Sequence, residues 1–133
     1  MEGNQINKLR KNKWEGKKIL VVEDVDTSNM YFKAALGKTD AHILWASNGI
    51  EALEIAQEND DIDLVLMDIH MPGMNGFEAS RELRKKNKKL KIIIQTAYVL
   101  SGEREKSMKL GCTDFITKPI NYKKLIHTIE KHI

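Results

Sequence analysis

Asp63-Leu64-Val65-Leu66-Met67-Asp68-Ile69-His70-Met71-Pro72-Gly73 is the stretch whose reading decides the fold. The apolar run from Leu64 to Met67 is too short for a helix of ordinary length, and it stops at a carboxylate followed by Pro72 and Gly73. It reads as a buried strand ending in an acid. A strand apolar on both faces implies a parallel sheet covered by helices on each side, and ligands of such sheets gather at the carboxyl ends of the strands. Asp68 is therefore expected at the mouth of a crevice.

Working outward, the same grammar recurs. Lys18–Val22 runs into Glu23 and Asp24, residues 90–95 run into Thr96, and Asp114–Thr117 runs into Lys118 and Pro119. Acids, a hydroxyl and an ammonium thus converge on one sheet edge. Between these runs, Asp26, Thr27 and Ser28 are candidate caps for a helix to about Leu36, with Gly37 as its stop. His42–Ala46 reads as a further strand, and Asn48 and Gly49 open a helix over residues 50–59. Asn75 caps a helix to about Lys86 that buries Phe77, Ser80 and Leu83, and a short helix near residues 102–110 ends at Gly111. Tyr122, Leu125, Ile126, Ile129 and Ile133 repeat at helical spacing in a last helix. Strands alternate with helices, which with right-handed crossovers predicts an α/β fold, a doubly wound parallel sheet of five strands in the order 2-1-3-4-5. That order sets the strands ending at Asp24 and Asp68 side by side at the topological switch.

Composition narrows the function classes. At 133 residues, 41% hydrophobic and 31% charged, the chain has room for one domain, placed at residues 17–133 behind a linker or tail over residues 1–16 in which Ile6, Leu9 and Trp14 sustain no periodic face. No apolar run reaches the roughly 18 residues of a membrane span, and the polar start has no signal-peptide centre, so a cytoplasmic protein is expected. A single cysteine, Cys112, excludes an internal disulfide and a thiolate metal cluster and reads as packing. The net charge of +3 is concentrated in residues 8–18 and 85–91. Arg84, Lys85, Lys86, Lys88, Lys89 and Lys91 bracket a helix end, where cations offset the dipole. Without a recognition helix or stacking aromatics, this excess does not make a nucleic-acid binder.

Val22-Glu23-Asp24, Met67-Asp68-x-x-Met71-Pro72-Gly73-Met74-x-Gly76, Thr96-Ala97 and Lys118-Pro119, in this order and spacing, resemble the receiver domains of two-component response regulators over about residues 17–133. Taken singly, each of these residues has an ordinary role as cap, turn or β former; jointly they are specific. The resemblance implies a flavodoxin-like receiver fold in which Asp68 is a nucleophile accepting a phosphoryl group as an acyl phosphate. Crowded carboxylates call for a hard divalent cation with oxygen ligands, and Mg²⁺ is the expected cofactor. Asp24 and Asp68 are then direct ligands, Glu23 acts through water, and the backbone carbonyl of His70 completes the set. Lys118, the Thr96 hydroxyl and the Ala97 N–H serve the remaining phosphoryl oxygens. Phe115 takes the family's switch-aromatic position, Tyr98 borders the site or the output face, and the switched face spans residues 101–133. The His70 side chain shields the acyl phosphate from water, whereas His42, His127 and His132 are structural or solvated. Expected partners are a histidine kinase or a histidine phosphotransfer domain, with a second copy of this chain a further candidate. Trp14-Glu15-Gly16-Lys17 is similar to the junction ahead of receivers in hybrid sensor histidine kinases. The module itself is a self-phosphorylating and self-dephosphorylating acceptor rather than a conventional enzyme.

A competing enzyme reading starts from Asp24-Val25-Asp26-Thr27-Ser28, which approximates the opening of haloacid-dehalogenase-like phosphatases with Asp24 as nucleophile. It lacks that family's further acidic pair and leaves Asp68 without a task. A flavin-binding module of similar topology is a third reading, disfavoured because three acids repel a flavin phosphate.

Overall fold

Alternate residues of the central strands point to opposite faces, and in this chain both faces are buried. Leu20, Val22, Val65, Met67, Ile92 and Ile94 enter one apolar cluster, while Ile19, Val21, Leu64, Leu66 and Ile93 enter the other. The computed structural model describes residues 14–71, 73–96 and 102–133. Its elements run β1 (Lys18–Val22), α1 (Asp26–Leu36), a 3₁₀ turn (Gly37–Thr39), β2 (His42–Ala46), α2 (Gly49–Glu58), β3 (Leu64–Asp68), α3 (Gly76–Lys86), β4 (Lys91–Thr96), α4 (Glu103–Lys109), β5 (Asp114–Thr117) and α5 (Tyr122–His132). All strands are parallel, in the order β2-β1-β3-β4-β5. This is the predicted doubly wound sheet. Among the described residues no helix is long and apolar enough to cross a membrane.

The helices start where short polar side chains can take an orphan backbone donor. Asn48, Asn75 and Asn121 accept the N–H of Glu51, Glu78 and Lys124 at 2.8, 3.0 and 3.0 Å. The expected cap of α1 fails. Val25 holds that position and has no polar side-chain atom to accept a bond, while Asn29 in the first turn donates to the Glu23 carbonyl at 3.0 Å. The α-helix ends at Leu36 with Gly37 at its C-cap, as expected, and a 3₁₀ turn then carries the chain to a left-handed Asp40 at φ 62°. Strand β3 begins at Leu64, where the apolar run begins, and β4 begins one residue later than expected, at Lys91. Asp63 is occupied with the Lys18 backbone through its N–H at 2.9 Å and its Oδ2 at 2.8 Å.

Two residues do more than their sequence context implies. Arg84 donates to the carbonyls of Gly111, Asn87 and Lys88 at 3.0, 3.2 and 3.0 Å, so it ties the end of α3 to two loops as well as offsetting the dipole. Tyr122, counted on the apolar face of α5, is 44% exposed; Leu125, Thr128 and Ile129 carry that face.

Trp14 requires a correction. Placed by its isolated position in the preceding linker, it is 2% exposed and packs with Ile19, Val21, Phe32 and Leu36 in the α1 and α5 core. The Lys17 N–H bonds back to the Trp14 carbonyl at 3.0 Å, and this turn folds the ring onto the domain. Trp14→Ala should therefore lower the stability of the domain by about 3 kcal/mol, as a large core truncation does, measured as a shift of the urea midpoint. An unchanged midpoint would return Trp14 to the linker.

Candidate functional site

The parallel register brings the ends of β1, β3, β4 and β5 to one edge. Glu23 follows β1, and its N–H bonds the Ala46 carbonyl of β2 at 3.0 Å, which fixes the backbone just before the acids diverge. Glu23 is fully buried, Asp24 is exposed, and Asp68 at the end of β3 is 2% exposed. One carboxylate oxygen from each of the three lies within 4.8 Å of the others. The Lys118 ammonium, arriving from β5, stands 3.3 Å from Asp68 Oδ2 and 3.5 Å from Glu23 Oε1. Its backbone N–H bonds the Thr96 carbonyl at 2.7 Å, so the ends of β4 and β5 are stitched together beside the acids. Thr96 is fully buried. Asp68 Oδ1 accepts the His70 N–H at 3.2 Å, while the His70 side chain faces outward. Phe115 is half-buried against the cluster that holds Met67 and Ile94. Ala97 and Tyr98 lie outside the described residues.

Three acids face one ammonium, so negative charge is in excess. Burial, followed by the hydrogen bond and the charge of Asp68, pushes the Glu23 carboxyl up to about 7; the Lys118 charge and a hydrogen bond with Ser28 pull the other way. The donor set is all oxygen, with no thiolate or imidazole among the grouped residues. Such a set fits a hard divalent cation, which would remove the cost of holding the acids together.

Gly76 shows how tightly the site is built. A Cβ at this position would overlap the Asp68 carbonyl oxygen and lie 2.7 Å from Ile69 Cα and 2.9 Å from the Asp68 carbonyl carbon. The Gly76 N–H bonds the Ile69 carbonyl at 3.0 Å. The start of α3 is thus pressed on the backbone that carries the central acid, and only hydrogen fits. In the sequence Gly76 belongs to a motif with no visible steric reason and Ser28 is a candidate cap, whereas in the structure Ser28 supports Glu23 through a hydrogen bond. A serine and asparagine one turn into a helix behind two acids are the only sequence signal for that support.

A model of the response regulator receiver domain matches residues 19–130. The chain is 30% identical over 119 residues to the polar-differentiation response regulator DivK of Brucella anthropi, covering 88% of this chain and 96% of that protein. It is 38% identical over 122 residues to hybrid signal transduction histidine kinase G of Dictyostelium discoideum, covering 86% of this chain and 4% of that much longer protein. The receiver domain of sensor histidine kinase PA1611 from Pseudomonas aeruginosa, solved with magnesium in its active site cleft, superposes with a TM-score of 0.80 at 29% identity, covering 88% of this chain and 97% of that one. The receiver of Saccharomyces cerevisiae Ssk1, solved with the histidine phosphotransfer protein Ypd1, gives a TM-score of 0.81 at 27% identity, covering 90% of each chain.

Two outcomes are expected from this geometry. Gly76→Ala should cost about 3 kcal/mol, the upper range for an overpacked contact, read as a fall in the urea midpoint; a neutral result would mean that α3 does not press on Asp68. In chelator, the folded chain holds the Glu23 proton more tightly than the unfolded chain, so stability should decline as pH rises from about 4.5 to about 7. Glu23→Gln should remove that slope, and a wild-type stability that is flat across the window would show the carboxyl to be unperturbed.

Proposed function

The chain belongs to the response regulator receiver domain family, and from that premise we propose that Asp68 is its phosphoacceptor, taking a phosphoryl group from a phosphohistidine in a Mg²⁺-dependent transfer. The observation that carries this reading is the buried Asp68 carboxylate with an ammonium 3.3 Å away and two more carboxylates beside it. Glu23, Asp24, Asp68 and the His70 carbonyl would hold the ion, which supplies positive charge to the transferring oxygens when bound. A carboxylate oxygen of Asp68 forms the O–P bond as the donor's N–P bond breaks, and the electron pair returns to the leaving imidazole nitrogen. Lys118 pairs with Asp68 before transfer and with a phosphoryl oxygen after it. The Thr96 hydroxyl and the Ala97 N–H donate to another oxygen.

Three things support the donor and the setting. A similar receiver is known in complex with a phosphotransfer protein, another is a domain of a sensor kinase, and the 38% identity is to a hybrid kinase. We therefore read the partner as a histidine kinase or phosphotransfer domain, the module as one that works behind a hybrid kinase core, and its setting as the cytoplasm. The response runs through Thr96 and Phe115 to the face of residues 101–133, with Tyr98 as a further switch residue of the same reading. The phosphatase alternative is set aside, since it makes the exposed Asp24 the nucleophile and gives no task to the buried Asp68.

Asp68→Asn should abolish transfer of label from a phosphorylated histidine phosphotransfer domain, and Lys118→Met should slow it by about a hundredfold with the fold intact by circular dichroism. Label retained by Asp68→Asn would remove the residue from the role. Hydrolysis of a phosphate ester that is lost in Asp24→Asn and unaffected by Asp68→Asn would restore the phosphatase.

A further inference from the structure

Beside the acidic cluster lies a cleft of about 260 Å³ that the phosphoryl chemistry does not use. Thr27, Ser28, Tyr31 and Phe32 of α1 form one wall, and Pro119 and Ile120 after β5 form the other. Lys118 closes the end toward Asp68 and is already committed to Asp68 and Glu23. Gln95 completes the lining.

Gln95 is the anomaly in this cleft. It is the one polar residue in the run Ile92-Ile93-Ile94-Gln95, and it stands beside Asp68 in the β3–β4 register. Side chains alternate along a strand, so Gln95 shares the face of Ile93, which packs with Phe32 and Leu36 under α1. Gln95 is 1% exposed, and neither its Nε2 nor its Oε1 has a hydrogen-bond partner. A buried carboxamide left unpaired carries a desolvation penalty that a leucine or methionine there would not incur.

We propose that this cleft is a binding site for a small neutral ligand that carries a carboxamide-like edge, an N–H donor beside a C=O acceptor, on an apolar body. The edge pairs with Gln95, its donor to Oε1 and its acceptor to Nε2. The body lies against Phe32, Pro119 and Ile120, and the half-exposed Tyr31 stands at the rim where the ligand enters. Charge selects for neutrality. An anion would sit next to the excess of carboxylates and a cation next to the Lys118 ammonium. The inference does not depend on the role of Asp68.

Benzamide is a direct probe, with acetophenone, which keeps only the acceptor, and ethylbenzene, which keeps neither group, as controls. Titrated into the ¹⁵N-labelled full chain, benzamide should produce saturable shifts of the Gln95 side-chain NH₂ pair and of the Ser28 and Ile120 amides. Ethylbenzene should bind at least about tenfold more weakly, and Gln95→Met should weaken benzamide by a similar factor. Shifts that do not saturate, equal affinity for the three probes, or a Gln95→Met variant that binds benzamide like wild type would overturn the proposal. Should that variant not fold, the comparison of benzamide with ethylbenzene on wild type decides alone.

Discussion

Like charges are forced together here by apolar burial. Strands β1 and β3 can satisfy both of their hydrophobic faces only at the centre of a covered sheet, and in parallel register their ends then lie side by side. Glu23, Asp24 and Asp68 are carried to within 4.8 Å of one another by a driving force to which they contribute nothing. Burying the central side chains is worth roughly 1.5–3 kcal/mol each, so the strands can hold several unfavourable charge contacts at their ends. The Glu23 carboxyl, raised first by its burial and then by the neighbouring Asp68, records that cost. A site with stored electrostatic cost favours whatever relieves it, and a divalent cation or a proton does so.

The second constraint is steric and acts through two glycines. Gly76 lets the start of α3 rest on the Asp68 backbone, and a Cβ at Gly49 would press at 3.0 Å on the Met74 carbonyl and 3.1 Å on the Ala79 Cβ. The starts of α2 and α3 thereby close on each other and on the end of β3. With no spare volume beneath it, the Asp68 carboxylate is positioned by backbone packing on one side and by the Lys118 ion pair on the other. This is the preorganisation that the proposed nucleophile and its charge partners would require.

Sheet order and the starts of α2 and α3 were legible in the sequence, because strand ends coincide with the point where an apolar run meets a polar residue, and because Asn48 and Asn75 stand just ahead of helical patterns; the Asn121 cap of α5 was not singled out. The convergence of Asp24, Asp68 and Lys118 followed from that order. What stayed hidden depends on contacts that no local pattern encodes. Trp14 has no apolar neighbours at helical or strand spacing, yet a single turn lays its ring on α1. Asn29 looks like an unremarkable helix residue until the Glu23 carbonyl is seen beside it. Arg84 is one cation in a run of several, and only the positions of Gly111, Asn87 and Lys88 distinguish it. The unpaired state of Gln95 is a negative fact, visible only once its surroundings are known.

The two sides of the site are not equally constrained, and the difference suits a switch. Every residue of β3 is buried, so displacing it would disturb both cores at once. In β5 only Ile116 is buried, and the strand pairs on one edge only, with β4. Moving β5 therefore exposes less apolar surface and breaks fewer backbone bonds than moving any central strand. Phe115 belongs to that less constrained strand and Lys118 directly follows it, with the Lys118 N–H bonded to the Thr96 carbonyl. Under the proposed phosphorylation of Asp68, the change of charge would pull first on the groups whose displacement costs least, which are those leading away from the acids toward α4 and α5.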